Sequence, residues 1–179
     1  MPDVKFLSVL PTTASASNRV TKVSISGTLL QNPQQFSVNF VNSPDCTDNI
    51  TYHFKVVIPT KTIIENYKRN GEWSSLHQEQ HLDIFNGTGD SAKNPTLTQS
   101  ITLIMNEIDQ ALQLSSTETS FSLEFAFNYD DSKMLVYHGR DAGFNFITQY
   151  ETLFSLSDIQ AVQVWGDVQK VSQFGLTYD

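Results

Sequence analysis

Few residues of this chain combine a reactive type with a spacing that chemistry needs. His77 and His81 stand four apart. That interval puts two imidazoles on one metal only if the stretch is helical. The sequence around them reads as a strand end or loop, so they are surface histidines. Asp130-Asp131 falls inside a turn signal, Asn128-Tyr129-Asp130-Asp131, and reads as a solvated turn rather than an acid/base pair. Cys46 also reads as lying in a turn, and a nucleophile there would need an adjacent base that the sequence does not identify. A single cysteine makes no internal disulfide and no Cys-rich zinc site. No Gly-rich phosphate loop, nucleophile elbow or zinc-type His/Glu spacing occurs. The expectation is a protein without enzymatic activity, cofactor or metal.

Composition narrows the partners. The formal net charge is −8, from 11 Lys and Arg against 19 Asp and Glu. That leaves no cationic surplus to neutralise phosphates, so nucleic acid is excluded as a partner. The chain opens Met-Pro-Asp-Val-Lys and carries no long apolar stretch. Neither a signal peptide nor a membrane span is expected. The expected location is cytoplasmic, or extracellular by a route without a signal peptide. Two Asn-x-Ser/Thr sequons, at Asn49 and Asn86, are of a kind common by chance.

The elements that must position any site come from the periodicity. Twelve Phe and six Tyr favour strands. Period-2 alternation runs through Val23, Ile25, Gly27 and Leu29, then Phe36, Val38 and Phe40, then Ile50, Tyr52, Phe54 and Val56. Asn32-Pro33, Asn42-Ser43-Pro44-Asp45 and Asn70-Gly71 are turn signals, the last a strong hairpin signal. Alternation returns at Phe121, Leu123, Phe125 and Phe127, and later at Val162, Val164, Gly166 and Val168. The segment before Asn18 is loop-like, although Val4, Phe6 and Leu7 suit an edge strand. Short strands separated by turns read as a sandwich or barrel.

Between about 83 and 119 the pattern breaks. Ile101, Ile104, Met105, Ile108 and Leu112 fall on one face of a helix, expected over about 98–114. A strand over Ser100 to Met105 competes with it, because Ile101 and Thr102 are β-branched. Residues 1–179 read as one domain, with 83–119 inserted into it.

Several stretches together resemble the galectin family. Gln35-Phe36-Ser37-Val38-Asn39-Phe40 and Asp48-Asn49-Ile50-Thr51-Tyr52-His53-Phe54 are similar to the strand pair entering the galectin sugar site. Asn66 followed by Asn70-Gly71-Glu72-Trp73 matches its Asn-to-Trp spacing. Phe154 to Ile159, Val164-Trp165-Gly166-Asp167-Val168 and Val20 to Gly27 resemble its last and early strands. The resemblance covers the chain outside 83–119. It implies an all-β fold, a two-sheet antiparallel β-sandwich of the galectin and concanavalin-like jelly-roll type, here with one inserted helical segment. The sugar site would lie on the concave sheet.

The family's site combines a His-x-Asn-Pro-Arg run, a later Asn and a Trp-x-x-Glu-x-Arg run. His53, Asn66 and Trp73 match it. Lys55 stands for the Asn, Val57 for the Arg, Leu76 for the Glu and Gln78 for the second Arg. The stretch from His53 to Asn66 is shorter than usual and contains Pro59. The carbohydrate-binding set implied is therefore His53, Lys55, Asn66, Arg69, Trp73 and Gln78, with Glu79 able to substitute if the chain bulges after Trp73. Trp73 would offer an apolar platform to the C–H face of a sugar. Strand-borne polar groups would meet its hydroxyls at little ordering cost.

Two readings stay open. One is a lectin whose preference has moved away from plain β-galactosides. The other is a galectin-like interaction or structural domain that has lost sugar binding, as the four replaced positions suggest. The resemblance also implies a homodimer through terminal strands, and the inserted helix offers a face to a protein partner.

Overall fold

The computed structural model describes residues 4–11, 19–60, 62–75, 78–81, 119–140 and 143–178. Among them are twelve strands: β1 (Val4–Val9), β2 (Val20–Leu29), β3 (Gln35–Ser43), β4 (Cys46–Val57), β5 (Thr62–Arg69) and β6 (Glu72–Trp73), then β7 (Gln78–His81), β8 (Thr119–Asn128), β9 (Lys133–Arg140), β10 (Gly143–Glu151), β11 (Ala161–Gly166) and β12 (Val168–Tyr178). One 3-10 turn, Leu156–Asp158, precedes β11. The larger sheet runs β1-β11-β3-β4-β5-β6, with β7 also on β5. The smaller runs β10-β9-β8-β2-β12. All pairings are antiparallel.

The period-2 residues are the reason the sheets face each other. Phe36, Val38 and Phe40 of β3 and Tyr52, Phe54 and Val56 of β4 are buried, as are Val162 and Val164 of β11. They meet Val23 and Ile25 of β2 and Phe121, Leu123 and Phe125 of β8 in one core. Aromatic edges lock the layers. Phe40 and Phe54 both meet Phe125, at ring centroid distances of 5.0 and 5.5 Å. Each buried ring of this kind contributes roughly 1.5–3 kcal/mol by area alone. The expected two-sheet antiparallel β-sandwich is therefore the fold.

The turn signals are kept too. Lys68 pairs with Trp73 and Arg69 with Glu72 across Asn70-Gly71. Both turn residues have positive φ, 52° and 82°, as the twisted two-residue hairpin demands. The tip is pinned to β4, since Gly71 N–H donates to Asp48 O and Asn70 N–H to Asn49 Oδ1. The segment suited to an edge strand is β1, paired with β11. The expected helix over 98–114 lies outside the described residues, as does the 83–119 insertion except for Thr119, which begins β8.

Candidate functional site

If Tyr52, Phe54 and Val56 face the core, His53 and Lys55 must face outward. The same parity applies on each strand of the larger sheet. Register then sets Gln163, Asn39, His53 and Asn66 side by side on β11, β3, β4 and β5. The next row is Trp165, Ser37, Lys55 and Ile64. Over these rows lies a groove of about 330 Å³, lined among others by Asn39, His53, Lys55, Lys68, Trp73 and Trp165.

His53 is the centre of this face. Its Nδ1 lies 2.5 Å from Asn39 Oδ1. An amide oxygen only accepts, so Nδ1 carries the proton and the neutral ring keeps its lone pair on Nε2. Burial, then the charges of Lys55 and Lys68, lower the His53 pKa from 6.5 to about 4. The ring is therefore neutral at ordinary pH, with Nε2 able to accept from a hydroxyl. Trp73 is 48% exposed. Its ring is 4.6 Å from that of His53, tilted at 54°. The Lys68 ammonium lies over the indole, 5.2 Å from the centroid, a cation–π distance. At the other end of the groove Trp165 donates its indole N–H to Gln163 Oε1 at 2.8 Å.

Of the residues singled out by sequence, His53, Lys55 and Trp73 come together on the groove. Asn66 sits beside His53 in register but is buried, and its amide has other work. Its Nδ2 donates to Ser74 O at 3.1 Å, and its Oδ1 accepts from Tyr67 N–H at 2.8 Å. Asn66 thus holds the chain leaving Trp73. Arg69 is exposed outside the groove lining. Glu79 pairs with Ile64 and is likewise absent from the lining.

Gln78 turns to the core side of the larger sheet, at its exposed edge. Its Nε2 donates to Glu65 Oε1 at 2.9 Å and to Gln149 O at 3.1 Å. The cause is parity. Between β6 and β7 the register on β5 slips by two residues, an even number. Gln78, five residues beyond Trp73, therefore falls on the opposite face.

Glu65 went unnoticed in the sequence. It is fully buried and accepts from Tyr52 Oη at 2.5 Å, Thr148 Oγ1 at 2.8 Å and Gln78. Burial raises its pKa from 4.5 to about 7, against the opposing pull of the Tyr52, Thr148 and Gln78 hydrogen bonds. Asn39, Lys68 and Trp165 were missed as groove residues as well. For Asn39 and Trp165 the signal was available, since each is out of phase with the apolar residues of its own strand; Lys68 is in phase with Ile64, so alternation on β5 did not mark it.

Comparison with known proteins agrees with this architecture. A family model described as galactoside-binding lectin matches residues 5–175. The structure of sheep galectin-11 in complex with glycerol is similar at a TM-score of 0.62 and 14% identity, over 98% of each chain. Caenorhabditis elegans galectin LEC-6 is similar at 0.59 and 12% identity, over 98% of this chain and 92% of that one. At these identities the likeness speaks for the fold. No curated protein matches the sequence.

Proposed function

The chain belongs to the galactoside-binding lectin family, and from that premise we propose that it is a non-catalytic glycan binder with an altered galactoside preference. The observation that carries this is the His53–Trp73 pair. A neutral imidazole acceptor stands against a half-exposed indole on a rigid sheet. A pyranose needs that combination, an apolar plate for its C–H face and a fixed acceptor for a hydroxyl. Preference is altered because the groove wall differs. Lys55 stands on β4, Gln78 is turned away from the groove toward Glu65 and Asn66 is engaged with Ser74. A glycan array read with the wild-type chain and Trp73→Ala tests it. Retention of galactose-containing glycans that the variant loses supports the reading, and no retained glycan sinks it.

The second reading, an interaction or structural domain without sugar binding, draws on the same two engaged side chains. It expects no effect of lactose on thermal stability. A bound ligand at 100 times its Kd would stabilise by about 2.7 kcal/mol, so a clear lactose shift counts against it. A homodimer through terminal strands also remains a proposal. β1 and β12 end their sheets, and Val4, Leu7 and Val9 of β1 are exposed. Sedimentation of the intact chain tests it.

A further inference from the structure

The charge of the groove is opposite to that of the chain. The protein carries −8 overall, yet among the described residues the groove is lined by two lysines, Lys55 and Lys68, and by no carboxylate. Neither ammonium has a carboxylate within ion-pair distance among the described residues. At the Trp165 end the nearest acid in sequence, Asp167, is engaged elsewhere. Its Oδ2 accepts from the Gln34 and Gln35 N–H groups at 2.8 and 3.2 Å.

The two lysines flank His53 along the strands. Lys55 lies two residues from His53 on β4, and Lys68 two residues from its partner Asn66 on β5, in the opposite direction. A sugar resting on His53 and Trp73 would have one ammonium toward each end. His53 feels both, since after burial their charges are what holds its proton affinity down. Any anion entering the groove meets the same potential with the favourable sign. Partly desolvated lysines in a low-dielectric trough act more strongly than exposed ones.

We propose that this groove selects acidic glycans, galactosides carrying an oxyanion as a sulfate ester or a carboxylate, with Lys55 and Lys68 as the specificity-determining cations. This rests on the lectin reading above and names its ligand class. A neutral sugar leaves the Lys55 ammonium to water and the Lys68 ammonium on the Trp73 ring, whereas an oxyanion receives a charge-assisted hydrogen bond from one of them.

The test is titration by calorimetry with lactose, sulfated lactose, sialyllactose and inorganic sulfate. The proteins are wild type, Lys55→Gln, Lys68→Gln and the double variant, each checked for an unchanged melting transition. The expected result is an acidic disaccharide bound about tenfold or more tighter than lactose, an advantage that shrinks with added salt. It should fall to about onefold in the double variant, with the single variants assigning the cation. The sulfated and sialylated arms decide which oxyanion is preferred, and either preference supports the proposal. Lactose bound as tightly as its acidic derivatives overturns it and leaves the lectin reading standing. So does an acidic preference that survives the double substitution. Inorganic sulfate bound as tightly as sulfated lactose also overturns it, because glycan and anion would then not be read together. No binding by any sugar overturns both readings.

Discussion

His53 stands between Asn39 and Trp73, its Nδ1 on the Asn39 amide oxygen at 2.5 Å and its ring 4.6 Å from the indole. The first contact chooses the tautomer and the second shields the ring from water. Trp73 therefore does two things at once, as a platform for a ligand and as cover for His53. Trp73→Ala should weaken glycan binding about tenfold, the scale of one aromatic contact with its area. It should also raise the His53 pKa from about 4 toward 6.5 as burial is lost. Histidine proton shifts followed against pH read the second effect. A His53 titration unmoved by the substitution would mean that Trp73 does not cover it.

Asn39 acts through His53. Removing its amide oxygen leaves a nearly buried Nδ1–H without its acceptor, at a cost of about 1–3 kcal/mol. The ring then has reason to change tautomer and offer Nε2–H to the groove. Asn39→Ala should lower stability by that amount, and imidazole nitrogen shifts should show a gain of the Nε2–H form. Asn39→Asp keeps an acceptor and should keep the Nδ1–H form. Equal tautomer populations in the three proteins would remove Asn39 from its positioning role.

Glu65 and His53 push the pH dependence of stability in opposite directions. Glu65 has a folded pKa of about 7 against an ordinary 4.5, so the folded chain holds the extra proton between those values. Its contribution is fully present below about 4.5 and lost as pH rises through 7. His53 has a folded pKa of about 4 against 6.5, so the unfolded chain holds the extra proton there. Its contribution is present above 6.5 and lost as pH falls toward 4. The burial of Glu65 and the rise of its pKa from 4.5 to about 7 place its effect on the order of 3 kcal/mol. Glu65→Gln should flatten the decline between pH 5 and 8, measured by urea unfolding. A decline as steep as wild type would show that another group causes it.

How far the site could be read from sequence depended on what each residue's neighbours do. His53 lies between Tyr52 and Phe54, both buried, so its outward direction follows from alternation alone. Trp73 follows a turn whose two positive-φ residues leave one register. The pairing of Asn39 with His53 needs the β3–β4 register, which bulges near Val41 carry out of reach of simple counting. Gln78 required knowing the register slip after β6. Glu65 is the hardest. Ile63 and Ile64 before it suggest a buried strand, but its three donors come from β4, β7 and β10, so only the folded sandwich brings them together.

Gly166 tests whether the backbone at the Trp165 end of the groove is as constrained as it looks. It ends β11 with φ +100°, a region that side chains rarely enter. A Cβ there would lie 2.7 Å from Gln35 O and 2.8 Å from Phe36 Cα. Both are backbone atoms of β3, which cannot swing aside as a flexible side chain would. Asp167, the next residue, also holds the start of β3 through its N–H donation to Gln35 O. Gly166→Ala should therefore cost about 2 kcal/mol or more, from strain and from the parting of β3 and β11. Gly175 on β12 is the control. A Cβ there meets only Ser24 Cβ, at 3.9 Å, an ordinary contact, so Gly175→Ala should change stability by less than about 1 kcal/mol. Denaturant melts of the two variants side by side decide the matter. Equal losses would show that glycine is kept at 166 for no backbone reason, while a loss confined to Gly166→Ala ties the edge of the groove to the β3–β11 register.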